Sequence, residues 1–288
     1  MTLYPLIIKL GPLTITGYGL MMMAAFLIGG WAMQKDLSRR GYNEEYAADI
    51  VVAAVIGGIV GAKIWYVVLT QDMSALLSRG GLVWYGGFLG GVLAVIINGW
   101  RRKVPVQFTA DITAPAIAVG YAIGRVGCFL VQDDYGIPTT LPWGMRFPQG
   151  LPPTTAANLE QMFGAVVPAA TPPWEVLAVH PTQLYETAAM LLVFWLLWRQ
   201  RAHGHATGWL MGMYLIFAGT ERFLVEFLRA KDDRFLGTFT VAQLTSVLVV
   251  AFGAFLLAWF AKPRPLVFPE DSGVLRPATA AGPVKAGK

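Results

Sequence analysis

The chain is laid out as apolar runs of about 20 residues, the length that spans the hydrocarbon core of a bilayer as helix. Two of these runs carry an arginine. Arg125 lies in ITAPAIAVGYAIGRVGCFLV (112–131) and Arg222 in WLMGMYLIFAGTERFLVEFL (209–228). A guanidinium in hydrocarbon costs several kcal/mol, so it is rare there and marks a pathway, a partner or a ligand. The runs are continuous rather than alternating, which points to helices and not to the strands of a barrel. Of the 288 residues, 56% are hydrophobic and 14% charged, against about 25% charged in soluble domains.

Seven spans are expected, at about 17–34, 50–70, 82–100, 112–131, 182–198, 209–228 and 239–260. The expected fold is therefore all-α: a polytopic integral membrane protein with seven transmembrane helices. A long external loop, 132–181, joins helices 4 and 5. Residues 1–261 are expected to form one seven-span domain, and the Pro-, Ala- and Gly-rich segment 262–288 reads as a disordered cytoplasmic tail. The amino-terminal MTLYPLIIKLGPLTITGYG has no basic n-region or cleavage motif, so no removable signal peptide is expected. Pro5, Gly11 and Pro12 favour a segment lying along the membrane surface. With the amino terminus outside, thirteen basic residues fall inside and six outside, and the positive-inside rule selects this orientation. The net charge of +5 reflects these loop residues and is no sign of nucleic-acid binding. One cysteine, Cys128, excludes an internal disulfide and a cysteine zinc cluster. No metal or cofactor is expected.

At a helical rise of 1.5 Å per residue, Arg125 and Arg222 each lie roughly 9 Å below the outer end of their spans, and Lys63 roughly 10 Å. Tyr18, Tyr85 and Glu186 fall near the outer starts of their own spans. Arg222, Glu226 and Arg229 share one helix face, as do Arg125, Cys128 and Gln132. This convergence points to one cavity in the outer half of the bilayer where guanidinium forks hold a phosphate. A plainer alternative is structural ion pairing, of Arg222 with Glu226 and of Arg125 with Glu221 or Glu186. Snorkelling explains Lys63. Gly57–Gly61, Gly86–Gly90 and Gly87–Gly91 are small-xxx-small spacings that let helices pack closely. His180, before Pro181, is a base or a residue that shapes the turn. In the long loop, Trp143, Phe147 and Trp174 favour a functional segment over a disordered one.

Five strings carry a resemblance: GPLTITGYGLM (11–21), YGGFLGG (85–91), GRVGCFLVQDDYG (124–136), HPTQLYE (180–186) and ERFLVEFLR (221–229). Together the chain resembles the prolipoprotein diacylglyceryl transferase family over its whole seven-span region. The resemblance implies an enzyme of the bacterial inner membrane that moves a diacylglyceryl group from phosphatidylglycerol to the lipobox cysteine of prolipoprotein signal peptides, drawing on membrane lipids. It implies Arg125 and Arg222 as holders of the lipid phosphate, and Tyr18, Glu226 and Gly136 as site residues. Asp133, His180 and Glu186 are expected to line the substrate site. The chain departs from the family's typical His-Gly-Gly, which is Tyr85-Gly86-Gly87 here. Its span-4 asparagine is Cys128, and its acidic residue is Asp133 rather than Glu. A neutral phenol is a poor base at pH 7, so Tyr85 is expected to orient substrate while Glu226, Asp133 or His180 takes the thiol proton. The alternative is a non-catalytic or repurposed phospholipid-binding paralogue.

Overall fold

A computed structural model describes residues 7–10, 13–77, 83–230, 234–236 and 239–276. Its long elements are helices: α1 (Gly17–Arg39), α2 (Glu45–Thr70), α3 (Trp84–Arg101), α4 (Val106–Leu130), α6 (Thr182–Gln200), α7 (Trp209–Val225) and α8 (Val241–Trp259). A short α5 (Ala156–Phe163) lies within the long loop. Among the described residues, α2, α4 and α8 are long and apolar enough to cross a membrane. The chain is thus a mostly helical, multi-pass membrane protein. It is not purely α. The strand β1 (Ile7–Leu10) pairs antiparallel with β2 (Leu13–Thr16), and β3 (Arg234–Leu236) with β4 (Phe239–Thr240). The first pair gives a hairpin within the amino-terminal segment expected to lie along the membrane surface. Ile, Leu and Thr on either side of a Gly-Pro suit a hairpin as well as an interfacial segment, so periodicity alone did not separate the two.

The chain divides into two compact units, with the divisions falling within α1 after Gly29 and within α4 before Ala114. The first contains residues 1–29, 114–205 and 209–262. Its helical core sets Ala114, Ala118 and Ala122 of α4 against Met190, Val193 and Leu197 of α6 and Leu210 of α7. The alanines fall four apart, on one stripe, and their small size lets the bulkier α6 face approach. Gly212 and Gly253 bring α7 and α8 together, where an added methyl would meet the opposite backbone. The capping box of Thr240 and Gln243 starts α8.

The long loop of the same unit has its own core. Tyr135, Phe147, Leu159, Ala165 and Val179 are buried with Ala230. Isolated bridges tie Pro138 and Met145 to Val179, and Thr155 to Val176. Thr154 reinforces them by accepting from Phe147 N and donating to Leu177 O.

The second unit contains residues 30–113, 206–208 and 263–288. In it α2 and α3 lie backbone to backbone along Gly57, Gly61, Gly86 and Gly90. Gly87 and Gly91 sit more loosely. Asp36 accepts from both Arg39 and Arg40, and Arg40 reaches Asp111 at 2.9 Å. Gly208 N also donates to Asp111. The segment expected to be a disordered tail is placed as far as Arg276. Val274 is fully buried and its carbonyl accepts from Asn43 N, Phe268 packs edge-on to Tyr42 and Phe108, and Asp271 pairs with Lys103. A few apolar anchors suffice to dock a segment whose average composition signals disorder. The remainder of that tail, 277–288, lies outside the described residues.

The glycine contact makes a testable demand. A methyl at Gly61 would overlap the Gly86 carbonyl and stand 2.8 Å from Gly90 Cα. Backbone cannot yield as a side-chain tip can, so Gly61→Ala should destabilise the protein by about 1–3 kcal/mol. Thermal unfolding of the purified protein in detergent measures it. An unchanged midpoint would show that the helices separate at no cost.

Candidate active site

Arg125 ends a long apolar face of α4 and is 8% exposed. Its fork is filled. Nη2 donates to Glu186 Oε1 at 2.7 Å, Nε lies 2.7 Å from Glu186 Oε2, and Nη1 donates to Asp134 Oδ2 at 2.9 Å. Glu186, on α6, is fully buried and also accepts from the Tyr121 hydroxyl at 2.6 Å. Arg229 joins from just beyond α7. Its Nη2 donates to Asp134 Oδ1 at 2.5 Å and its Nη1 to Glu186 Oε1 at 3.4 Å. Arg222 Nη2 pairs with Glu226 Oε2 at 2.7 Å, and Arg229 Nε lies 3.6 Å from the same oxygen. Arg125, Arg222 and Arg229 thus meet Asp134, Glu186 and Glu226 in one balanced cluster. Balance is what lets charges persist among apolar helices.

The cluster realises two of the pairings weighed from sequence, Arg222 with Glu226 and Arg125 with Glu186. They do not exhaust Arg222. Among the described residues, its Nη1 is buried with no hydrogen-bond partner, and so are both Glu226 oxygens, of which Oε2 takes the ion pair. A buried donor of this kind carries a desolvation penalty of about 1–3 kcal/mol until a ligand meets it.

Local backbone explains how these groups meet. α7 ends at Val225, and Glu226–Leu228 tightens into a 3-10 turn, so Glu226 lies past the α-helix on which its spacing was read. After α4 the chain turns through two left-handed residues, Gln132 at φ +60° and Asp134 at φ +63°. The start of α6 clamps this turn. Thr182 Oγ1 donates to Asp134 O at 2.9 Å and Gln183 Nε2 to Asp133 O at 2.6 Å. Gly136 then passes between two other segments. It donates to His180 O at 2.8 Å and bridges to Arg229, while Ile137 N donates to Leu228 O. A methyl there would meet the Leu228 carbonyl and stand 2.8 Å from His180 Cβ. Only glycine permits the crossing that sets Arg229 beside Asp134.

The remaining expected residues are distributed as follows. Tyr18, at the start of α1, is 41% exposed and rests on Gly127 of α4, one turn from the cluster. Asp133 is turned to its own loop, accepting from Asp134 N at 2.7 Å. It is Asp134 that enters the cluster. His180 faces the Tyr185 hydroxyl at 3.2 Å from Nδ1, and Trp143 Nε1 donates to that hydroxyl at 2.8 Å. Burial holds the His180 imidazole below the usual histidine range. Trp143, Met145, Arg146, Leu184 and Tyr185 line an adjoining cleft of about 900 Å³. Tyr85 belongs to the other unit, at the first turn of α3, exposed and edge-on to Trp84.

Sequence reasoning had missed Asp134, Tyr121 and the Thr182–Gln183 clamp. Polar residues opening an apolar helix were the available signal for the clamp. For Asp134 there was none, since an Asp-Asp pair does not tell which carboxylate turns inward.

Ionisable residues gathered among apolar helices are rare and mark a functional site by default. The family model for prolipoprotein diacylglyceryl transferase matches residues 5–259, and the chain belongs to that family. It is 33% identical over 276 residues to the phosphatidylglycerol–prolipoprotein diacylglyceryl transferase of Trichormus variabilis, covering 91% of this chain and 92% of the relative. It is 32% identical to that of Synechococcus elongatus, over 88% and 86% of the two chains. It is 30% identical to that of Clostridium tetani, over 88% and 96%.

The cluster separates two arginines by their burden. Arg125→Ala takes both close contacts from fully buried Glu186, leaving it the Tyr121 hydroxyl and Arg229 at 3.4 Å, and should cost about 3–5 kcal/mol of stability. Adding Glu186→Gln should restore part of that loss. Arg222→Ala should cost less, since it removes the pair with Glu226 and not contacts to two carboxylates. Thermal unfolding of the four proteins decides it, and equal losses for Arg125→Ala and Arg222→Ala would contradict the assignment.

Proposed function

We propose that this chain transfers the diacylglyceryl group of phosphatidylglycerol to the lipobox cysteine thiol of prolipoproteins, the first step of bacterial lipoprotein maturation. The observation that carries the reading is Arg222: a guanidinium within apolar helices, paired on one side and with a buried, unused Nη1 on the other. A phosphodiester supplies what that donor lacks.

In the reaction the cysteine sulfur attacks the glyceryl carbon that bears the phosphate. A carbon–sulfur bond forms and the carbon–oxygen bond breaks, its electron pair passing to the phosphate oxygen. Glycerol phosphate leaves, and the thiol proton passes to a base. Charge grows on the leaving phosphate, so donors aimed there stabilise the transition state more than the ground state. Arg222 takes that role, with Arg125 and Arg229 behind it. Tyr18, half-exposed beside Gly127, positions the headgroup. Glu226 is the base in this reading, one turn from Arg222 and with no hydrogen bond to either oxygen. Gly136 and Glu186 position the arginines. Tyr85 orients lipid or thiol. Transfer should vanish in Arg222→Ala and stay low in Arg222→Lys, because an ammonium cannot reproduce the planar fork. Glu226→Gln should lose more transfer than Tyr85→Phe, with its pH–rate profile altered. A dead Tyr85→Phe beside a fully active Glu226→Gln would move the proton to Tyr85. Failure of the wild-type gene to rescue a transferase-depleted strain would favour the lipid-binding paralogue.

For placement, we infer seven spans in the bacterial inner membrane, with the amino terminus and the 132–181 segment outside and the carboxyl terminus in the cytoplasm. The basic residues support this. Lys35, Arg39, Arg40, Arg101, Arg102 and Lys103 gather at one set of helix ends. A reporter fused after residue 150 should then be external and one after residue 270 internal. Both on the same side would remove the topology.

A further inference from the structure

The Asp134 carboxylate is held as an anionic ligand would be. It spans two guanidinium groups, taking 2.9 Å from Arg125 Nη1 on one oxygen and 2.5 Å from Arg229 Nη2 on the other. The two non-bridging oxygens of a phosphodiester offer the same two-point geometry. Two carboxylates share these arginines, and they differ in kind. Glu186 is fully buried on a helix. The Asp134 side chain is 28% exposed and hangs from a turn at φ +63°, a region costly for a non-glycine residue. One is set within the helix pair, and the other sits at the edge of the cluster, on a backbone held by Thr182 and Gln183, where its side chain alone need turn away.

We propose that Asp134 is a built-in competitor of the substrate phosphate: its carboxylate occupies the anion site between Arg125 and Arg229, and the incoming lipid phosphodiester displaces it. The proposal rests on phosphatidylglycerol being the substrate. Exchange of one monoanion for another leaves the cluster's charge unchanged. Arg125 keeps both contacts to Glu186 through Nε and Nη2, so only its Nη1 changes partner and the guanidinium need not move. Without lipid, Asp134 adds a second shared carboxylate to the one that Glu186 gives Arg125 and Arg229. After transfer, glycerol phosphate is close to a dianion at neutral pH, since a phosphate monoester has its second pKa near about 6. A carboxylate waiting at the rim offers the arginines a returning partner and so favours product departure.

The test uses the purified full-length protein in a phosphate-free detergent, with two readouts: glycerol phosphate binding by calorimetry, and KM for phosphatidylglycerol in mixed micelles. Asp134→Asn and Asp134→Gly remove the charge, and both residues tolerate the left-handed turn better than most. If Asp134 holds the site about ten times in eleven, each variant should bind glycerol phosphate about ten-fold tighter and show a KM lower by a similar factor. Asp134→Glu, which keeps the competitor, should stay near wild type. Unchanged or weaker anion binding in the folded variants overturns the proposal. So does absence of binding in every protein, or failure of both variants to fold, which would make Asp134 a structural strut. Tighter binding with no transfer by any protein sinks the reaction and keeps the competitor. Normal transfer with unchanged affinity does the reverse.

Discussion

A guanidinium among apolar helices is tolerable only when its charge is answered at close range, and Arg125 is answered by Glu186. The pair is two-point, fully desolvated on the carboxylate side, and supported by the Tyr121 hydroxyl. Its orientation requires α6 to begin where it does. That start in turn places Thr182 and Gln183 over the turn that follows α4. The turn delivers Asp134, Asp134 receives Arg229, and Arg229 is brought in by the crossing at Gly136. At the other end of the same helices the alanine stripe of α4 packs on Met190, Val193 and Leu197. The helix pair is thus held by dispersion at one end and by charge at the other. The charged end is the one where a ligand can compete.

In the other unit, the Asp49–Arg102 pair at 2.8 Å joins one end of α2 to the end of α3, and the contact between them runs along glycines. Glycine admits backbone to within van der Waals distance and lets many weak contacts add up. The remaining faces of these helices are apolar and exposed, with Val52, Ile56, Ile59, Phe88 and Leu93 all more than half exposed. In a membrane protein such faces are lipid-covered, so their exposure carries no liability.

Much of the helical layout was legible because apolar runs of bilayer length have one economical conformation. The long helices begin and end near the expected positions, and the glycine spacings named real contacts. Arg125 and Arg222 stood out because a charge in such a run has so few explanations. What was hidden depended on chain geometry. The Asp133–Asp134 choice is made by one left-handed φ. The 3-10 turn that carries Glu226 off the helix leaves no mark in composition. The docking of 263–276 rests on Phe268, Ser272 and Val274, three anchors lost in a Pro-, Ala- and Gly-rich average. Tyr85 was singled out by its place at the start of its span and by the resemblance, and its environment on α3 could not be read from its neighbours in sequence.

Arg125 and Glu186 are separated by 61 positions in the chain. Synthesis proceeds at about 5–20 residues per second. An interval of roughly 3 to 12 s therefore passes between the making of the arginine and the making of the acid that neutralises it. Through that interval α4, apolar enough to cross a membrane, carries an arginine that lacks its two-point partner. Biogenesis of this protein must hold α4 in a sheltered place, at the insertion machinery or against helices already laid down, until α6 arrives. The order of helices along the chain is in this sense a schedule, with its slowest appointment at the centre of the charged cluster.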